Sequence, residues 1–324
     1  MRFVFSARCA FAAVFACALA APAAAQTWPA RAVRIIVPFA PGGGVDIVTR
    51  YLAQKFTEQI GGTFVVENRS GGGGILGAEL AAKAAPDGYT LFTSAPEFSI
   101  NPSLRPRMPY DPFKDFAYIS QLTAGQFMLA SHPSVPVKTV RQLIALAKTK
   151  PGQLNYGSSG TGSINHLSGE LLQLMAGIRW IHVPFKGAGP ATIALIGGQI
   201  DFVFASTTGL VGPVKANQVR PLAVTGPKRL SELPDVPTIA ESGVPGYQVT
   251  GWYGFYAPAG TPPDIVRRLH DEARRGLNSP DIKDKLMKTG NDPVNTSPEE
   301  FTAFMRTEIT KWAKVVKEAQ VRVD

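Results

Sequence analysis

The sequence predicts an α/β protein made of short buried strands, glycine-rich turns and amphipathic helices. Three observations carry that expectation. Short apolar runs recur along the chain, most are followed by glycine or proline, and apolar residues at helical spacing then resume. Such alternation is the pattern of βα units on a largely parallel sheet.

Residues 1–25 stand outside the pattern. Arg2 and Arg8 form a basic n-region, residues 9–21 are apolar, and Ala23-Ala24-Ala25 is an A-x-A cleavage site before Gln26. A membrane anchor needs about 20 apolar residues and different flanks, so this segment reads as a signal peptide and the chain as exported. Removing those 25 residues from the 324 leaves 299, large for one core and comfortable for two lobes. Cys9 and Cys17 leave with the signal, which excludes disulfides and thiolate metal sites from the mature chain. Without Arg2 and Arg8 there are 31 Lys and Arg against 24 Asp and Glu. That basic surface suits an anionic ligand, or mere solubility. No run of five like charges and no nucleic-acid motif occurs, so no nucleic-acid partner is expected.

The first unit begins with a strand at residues 33–37, then Pro38-Phe39, the turn Pro41-Gly42-Gly43-Gly44, and a helix from Val45 with Asp46 in its first turn. A helix start leaves backbone N–H groups without partners, and glycines let an anion reach them. The same glycines also suit a plain strand–helix turn. Residues 63–67 form the next strand, followed by a turn in which Gly72, Gly74 and Gly77 satisfy G-x-G-x-x-G ahead of an alanine-rich helix. That fingerprint admits a dinucleotide reading. Against it, no acidic residue ends a strand about twenty positions on. Asp87-Gly88 turns the chain into a strand ending at Ser94, which the open-sheet rule places beside the 42–44 turn. With prolines at 102, 106, 109 and 112, residues 101–116 read as a non-helical surface excursion.

A second unit of similar design begins at residues 127–131. Thr139 caps a helix that Pro151-Gly152 stops. Residues 155–163 then run Asn-Tyr-Gly-Ser-Ser-Gly-Thr-Gly-Ser into a helix over 164–176. Glycines free this backbone while hydroxyls offer further donors at a helix N-terminus. A secreted hydrolase would use Ser163 as nucleophile and His166 as base, but both lie on one helical turn and no acid is evident to orient the imidazole. His132, His182 and His270 are scattered, and none forms a metal-ligand spacing. The expectation is therefore no enzyme, no metal and no cofactor.

Residues 181–184 and 199–205 read as strands, the latter carrying Asp201 as either an exposed acid or a hydrogen-bond acceptor. Residues 219–225 form a strand that crosses back to the first lobe. Helices follow near 263–277, 280–288 and 298–320, and the last is amphipathic, expected to pack on lobe one.

Eight stretches, among them VPFAPGGGVDIVTR, KPGQLNYGSSGTGSINHLSGEL, HVPFKGAGPA and RPLAVTGPKRLSELPDVPTIAESGVPG, occur in family order over essentially the whole mature chain. In them the sequence resembles the solute-binding proteins of tripartite tricarboxylate transporters, the Bug family. The resemblance implies a fold of periplasmic-binding-protein type II, two α/β lobes around a ligand cleft joined by two crossovers. Lobe 1 then takes residues 26–122 and 225–324, and lobe 2 takes 123–224. It implies a periplasmic, monomeric protein that carries a small mono-, di- or tricarboxylate, aromatic ones included, to membrane permease subunits. By the same resemblance the loops with Phe39, Pro41, Gly42, Gly43 and Gly44, and with Ser159, Gly160, Thr161, Gly162 and Ser163, grip a carboxylate, while Ser94 and Asp201 border the pocket. Residues 95–98 look individual to this chain, so Glu97 or Phe98 is expected to tune the ligand's side chain.

Overall fold

In the computed structural model, which describes residues 28–288 and 290–323, the first unit runs β1 (Val33–Val37), α1 (Gly44–Ile60), β2 (Phe64–Asn68), a 3-10 turn (Gly72–Gly74), α2 (Ile75–Ala82), β3 (Thr90–Ser94) and α3 (Glu97–Leu104). The segment read as a signal peptide lies outside the described residues. β1 pairs in parallel with β2 on one side and β3 on the other, as the βα alternation predicts. Val33, Ile35 and Ile36 are buried on its two faces, which is why the strand reads as a continuous apolar run.

The chain continues through β4 (Phe116–Ser131), α4 (Val140–Thr149), β5 (Asn155–Ser158), α5 (Ile164–Ala176), β6 (Ile181–Pro184), α6 (Ala188–Ile196), β7 (Phe202–Ser206), α7 (Thr207–Lys215) and β8 (Arg220–Val224). It closes with β9 (Thr250–Pro258), α8 (Pro263–Leu277), α9 (Pro280–Lys288), β10 (Asn291–Pro293) and α10 (Pro298–Glu318). β4 is far longer than the strand expected at 127–131. Its first part pairs antiparallel with β9, and from Phe127 onward it pairs with β7 and β8. One curled mixed sheet, in the order β2-β1-β3-β9-β4-β7-β5-β6, therefore runs through both halves of the molecule.

Apolar packing divides across that seam. Val48, Leu52, Phe56, Phe255 and Leu269 share a core on one side, and Leu143, Tyr156, Trp180 and Phe204 share another on the far side. Residues 225–249, expected with lobe 1, bring Ile239, Val244 and Tyr247 into this second core. Thr225 fastens the crossing. Its hydroxyl donates to the Val249 carbonyl at 2.7 Å and accepts from the Phe127 amide at 3.0 Å.

Two packing expectations are corrected. Residues 101–116 are no surface excursion, because α3 continues to Leu104 despite Pro102. Tyr110 and Phe116 are buried there, with Tyr110 stacked on Phe98 at 5.4 Å; aromatic burial outweighs the local proline signals. Nor does α10 belong to one lobe. Phe301 and Met305 enter an aromatic core beside β9, whereas Trp312, Val315 and Val316 enter the second core.

Candidate functional site

The turn after β1 is fastened from behind. Asp46, in the first turn of α1, accepts from the Gly42 amide at 2.9 Å, from Asn68 Nδ2 at 2.9 Å, and from Arg50 Nε and Nη2 at 3.0 Å each. Burial raises the Asp46 carboxyl, but the Arg50, Gly42 and Asn68 hydrogen bonds outweigh it and hold the pKa below its ordinary value. Gly42 takes φ +86°, a left-handed conformation that costs a side chain about 1 kcal/mol or more. Its amide is spent on Asp46, while the amides of Gly44, Val45 and Asp46 have no intrahelical acceptor. A Cβ on Gly44 would sit 2.0 Å from the Tyr253 hydroxyl, so only glycine fits that approach.

The loop ahead of α5 is fastened by its own hydroxyls. Ser163 caps the helix, accepting from the His166 amide at 3.3 Å and donating to the Gly160 carbonyl at 2.7 Å. Ser158 accepts from the Gly160 amide at 3.1 Å and is hydrogen-bonded to His182 Nε2 at 2.6 Å. The Gly162 amide donates to His166 Nδ1 at 3.1 Å. Behind this loop the His166 and His182 rings stack 3.7 Å apart. Burial first, and then His166, pushes the His182 pKa down to about 3.

These two loops face each other across one cleft with two adjoining cavities. The inner one, of about 480 Å³, is lined by Gly42 and Gly44 from one side and by Ser159 and Asn165 from the other. The outer one, of about 570 Å³, is lined by Phe39 on the first side and by Ser159, Gly160, Thr161, Gly162 and Ser163 on the second. Glu97 and Ser159 line both. Residues at or beside the starts of five helices, α1, α3, α5, α6 and α7, line the inner cavity. Each helix start presents roughly half a positive charge to it. Among the described residues Glu97 is the one charged side chain in that lining, whereas Arg105 and Arg322 line the outer cavity.

Most of the expected site residues therefore meet. Pro41 and Gly43 belong to the first loop without lining either cavity. Ser94 lies beneath the cleft, fully buried, with its hydroxyl donating to Tyr256 Oη at 3.0 Å. Asp201 sits at the opposite end of the sheet, just before β7, accepting the Asn155 amide at 2.9 Å while its own amide donates to Asn155 Oδ1 at 3.0 Å. Phe98 turns into the aromatic core, and Glu97 alone of that pair faces both cavities. The sequence reading missed Gly72 and Gly73, Tyr253 of β9, and Ser206 and Thr207 at the start of α7. Ser206 did carry a signal, as a hydroxyl ending an apolar strand before a helix.

The hydrolase reading fails on geometry. The Ser163 hydroxyl bonds the Gly160 carbonyl and the His166 amide, and the His166 imidazole is turned to Gly162 and, at 3.6 Å, to Glu170. Two serines bond an imidazole among the described residues: Ser134, on His132 at 2.6 Å, lines neither cavity, and Ser158 is fully buried with a histidine that is a weak base. Gly77 of the G-x-G-x-x-G pattern has a packing reason of its own. Its missing side chain lets α2 pack on the strand exit, where a Cβ would lie 2.8 Å from Pro38 Cα.

Comparison with known proteins agrees with this fold. Residues 48–321 match the family model described as tripartite tricarboxylate transporter family receptor. BugT of Bordetella pertussis is 34% identical over 307 residues, covering 94% of each chain. The solved structure of R. palustris Rpa4515 with adipate superposes with a TM-score of 0.82 at 37% identity, covering 91% of this chain and 99% of that one. MatC from Rhodopseudomonas palustris with bound malate gives 0.78 at 33% identity, covering 89% and 100%. Among the described residues no helix is long and apolar enough to cross a membrane. The fold and the match over most of the chain make this protein a member of the tripartite tricarboxylate transporter receptor family, the TctC or Bug solute-binding proteins.

Proposed function

We propose that this chain captures a small organic carboxylate in the periplasm, between its two glycine-rich loops, and delivers it to the permease subunits of a tripartite transporter. The observation that carries this reading is the convergence of helix starts on one cleft whose walls come from both halves of the sheet. Charge-assisted hydrogen bonds from backbone amides contribute about 1.5–3 kcal/mol each. Four or five of them, after association costs, give micromolar affinity, about −8 kcal/mol. A ligand held by both loops binds the closed form better and shifts the lobes toward it. The permease would then read closure. The relatives solved with adipate and malate support a carboxylate as the ligand class.

Binding without turnover is the matching expectation. Incubation with a carboxylate mixture, followed by mass spectrometry of bound and free species, tests it. One acid retained in stoichiometric amount and recovered unchanged supports the receptor reading. Progressive loss of an acid, abolished by Ser163→Ala or His166→Ala, would instead favour an enzyme.

A further inference from the structure

Glu97 is out of place in a site built for anions. It opens α3, lines both cavities, and turns its carboxyl toward its own amide and the amide of Ile164, the first residue of α5. Burial pushes its pKa up against the pull of those two amides. Tyr253, in the same inner cavity, has its hydroxyl pushed up to about 12, by burial first and then by the charge of Glu97. Asn165 lines that cavity too. It is 3% exposed, and its Oδ1 has no hydrogen-bond partner, since only its Nδ2 is engaged, by Ser159 at 3.2 Å. The inner cavity thus offers a carboxylate and a free amide oxygen, with no lysine or arginine among the described residues of its lining. Both guanidinium groups, of Arg105 and Arg322, lie at the outer cavity.

We propose that Glu97 determines specificity by accepting from a cationic nitrogen on the ligand, so that the cleft takes an amino-carboxylate in preference to a dicarboxylate. The inference rests on the carboxylate reading above and adds the charge of the ligand's second group. The ligand carboxylate lies between the two glycine loops, where the cavities adjoin at Ser159. The ammonium lies toward the side chains of the inner cavity, donating to Glu97 and to Asn165 Oδ1. A second carboxylate in the inner cavity would face Glu97 while the first already draws on the helix-start amides, and no side-chain cation among the described lining residues offsets the added charge. An ammonium supplies the donors that those acceptors lack, and a charge-assisted pair of this kind discriminates by about 10- to 100-fold.

The test uses four six-carbon probes that differ only in their polar groups: hexanoate, adipate, 6-aminohexanoate and L-norleucine. Isothermal titration of the wild-type protein is expected to show at least one of the two amino acids binding about tenfold or more tighter than both hexanoate and adipate. In Glu97→Gln that advantage is expected to fall to about threefold or less, with adipate gaining, while the melting temperature confirms a folded variant. Adipate as the tightest wild-type ligand would overturn the proposal and leave the carboxylate reading standing. So would an amino-acid advantage that survives in Glu97→Gln. Binding of none of the four would remove the carboxylate reading itself, and this inference with it.

Discussion

Gly43 lies between the cavity-lining Gly42 and Gly44 and offers a way to place a fixed charge at the edge of the cleft. It is the N-cap of α1, with extended backbone at φ −74° and ψ 163°, and a Cβ there would meet only the Ala40 carbonyl, at 3.8 Å. Aspartate and asparagine are both favoured N-caps and differ from glycine by a few tenths of a kcal/mol. Gly43→Asp and Gly43→Asn should therefore fold like the wild type, within about 0.5 kcal/mol. Their charges differ. At about 4 Å from a ligand carboxylate held on the neighbouring Gly44 amide, the new Gly43→Asp carboxylate would repel it by about 4 kcal/mol at an effective dielectric constant of about 20. The loop from Pro41 to Gly44 is exposed, so solvent reduces this to about half. Titration calorimetry with a bound carboxylate is then expected to show about 30-fold weaker binding for Gly43→Asp, and about threefold or less for Gly43→Asn. Raising the salt concentration should recover part of the aspartate loss. Equal affinities for the two variants would refute the reasoning, because they differ in charge and not in shape. Gly160→Asp tests the facing loop less cleanly, since Gly160 has φ +133° and any side chain there adds strain to charge.

Asp201→Ala should lower stability by about 1–2 kcal/mol in urea unfolding, by stranding the Asn155 amide, and leave ligand affinity within about twofold; a large affinity loss would return Asp201 to the site. The native His182 pKa of about 3 lies below the unfolded value near 6.5, so acid costs stability: as pH falls below about 6.5 the unfolded chain gains a proton that the native ring refuses. The loss is at most about 1.4 kcal/mol per pH unit toward pH 3, less because the ring keeps some solvent, and His182→Asn should flatten that slope in unfolding curves at pH 7, 6 and 5. Trp312→Ala empties a fully buried site and releases Glu308 Oε2 from its 3.0 Å bond to the indole, so a loss of about 3–5 kcal/mol is expected; a loss below about 1 kcal/mol would show that the end of α10 carries little of the second core.

The βα units were legible because strands buried on both faces read as apolar runs, and because glycine and hydroxyl residues punctuate helix starts. The two loops were legible for the same reason. What escaped depends on contacts between residues far apart in the chain. β4 runs through Gln121, Thr123, Gly125 and Gln126, where apolar periodicity fades, and its continuity comes from pairing with β9. Tyr253 reaches the cleft only because Gly44 leaves room for its hydroxyl. The resemblance placed Asp201 at the border of the pocket, yet its partner is Asn155, 46 residues away on the neighbouring strand. Ser158 and His182 likewise meet only once β5 and β6 pair in register, Ser158 opposite Pro184.

Where the halves are joined decides what a bridging ligand has to do. β4 passes through both, with register shifts between Tyr118 and Ser120 and between Gln121 and Thr123 that bend it near the seam. Thr225 ties the return path to Phe127 and Val249. α10 adds a third link, rooted by Phe301 and Met305 in one core and by Trp312, Val315 and Val316 in the other. Opening wide enough to pull one end of that helix from its core would expose an aromatic side chain, at about 2–3 kcal/mol each. If the lobes close as proposed above, the motion that keeps α10 seated in both cores is a small rotation about the strand seam. A small rotation separates open and closed forms by few broken contacts, so the gap between them is set largely by the cleft. Amides of the two loops that share one ligand are then enough to move the population, which is the property a receptor read by its membrane partner requires.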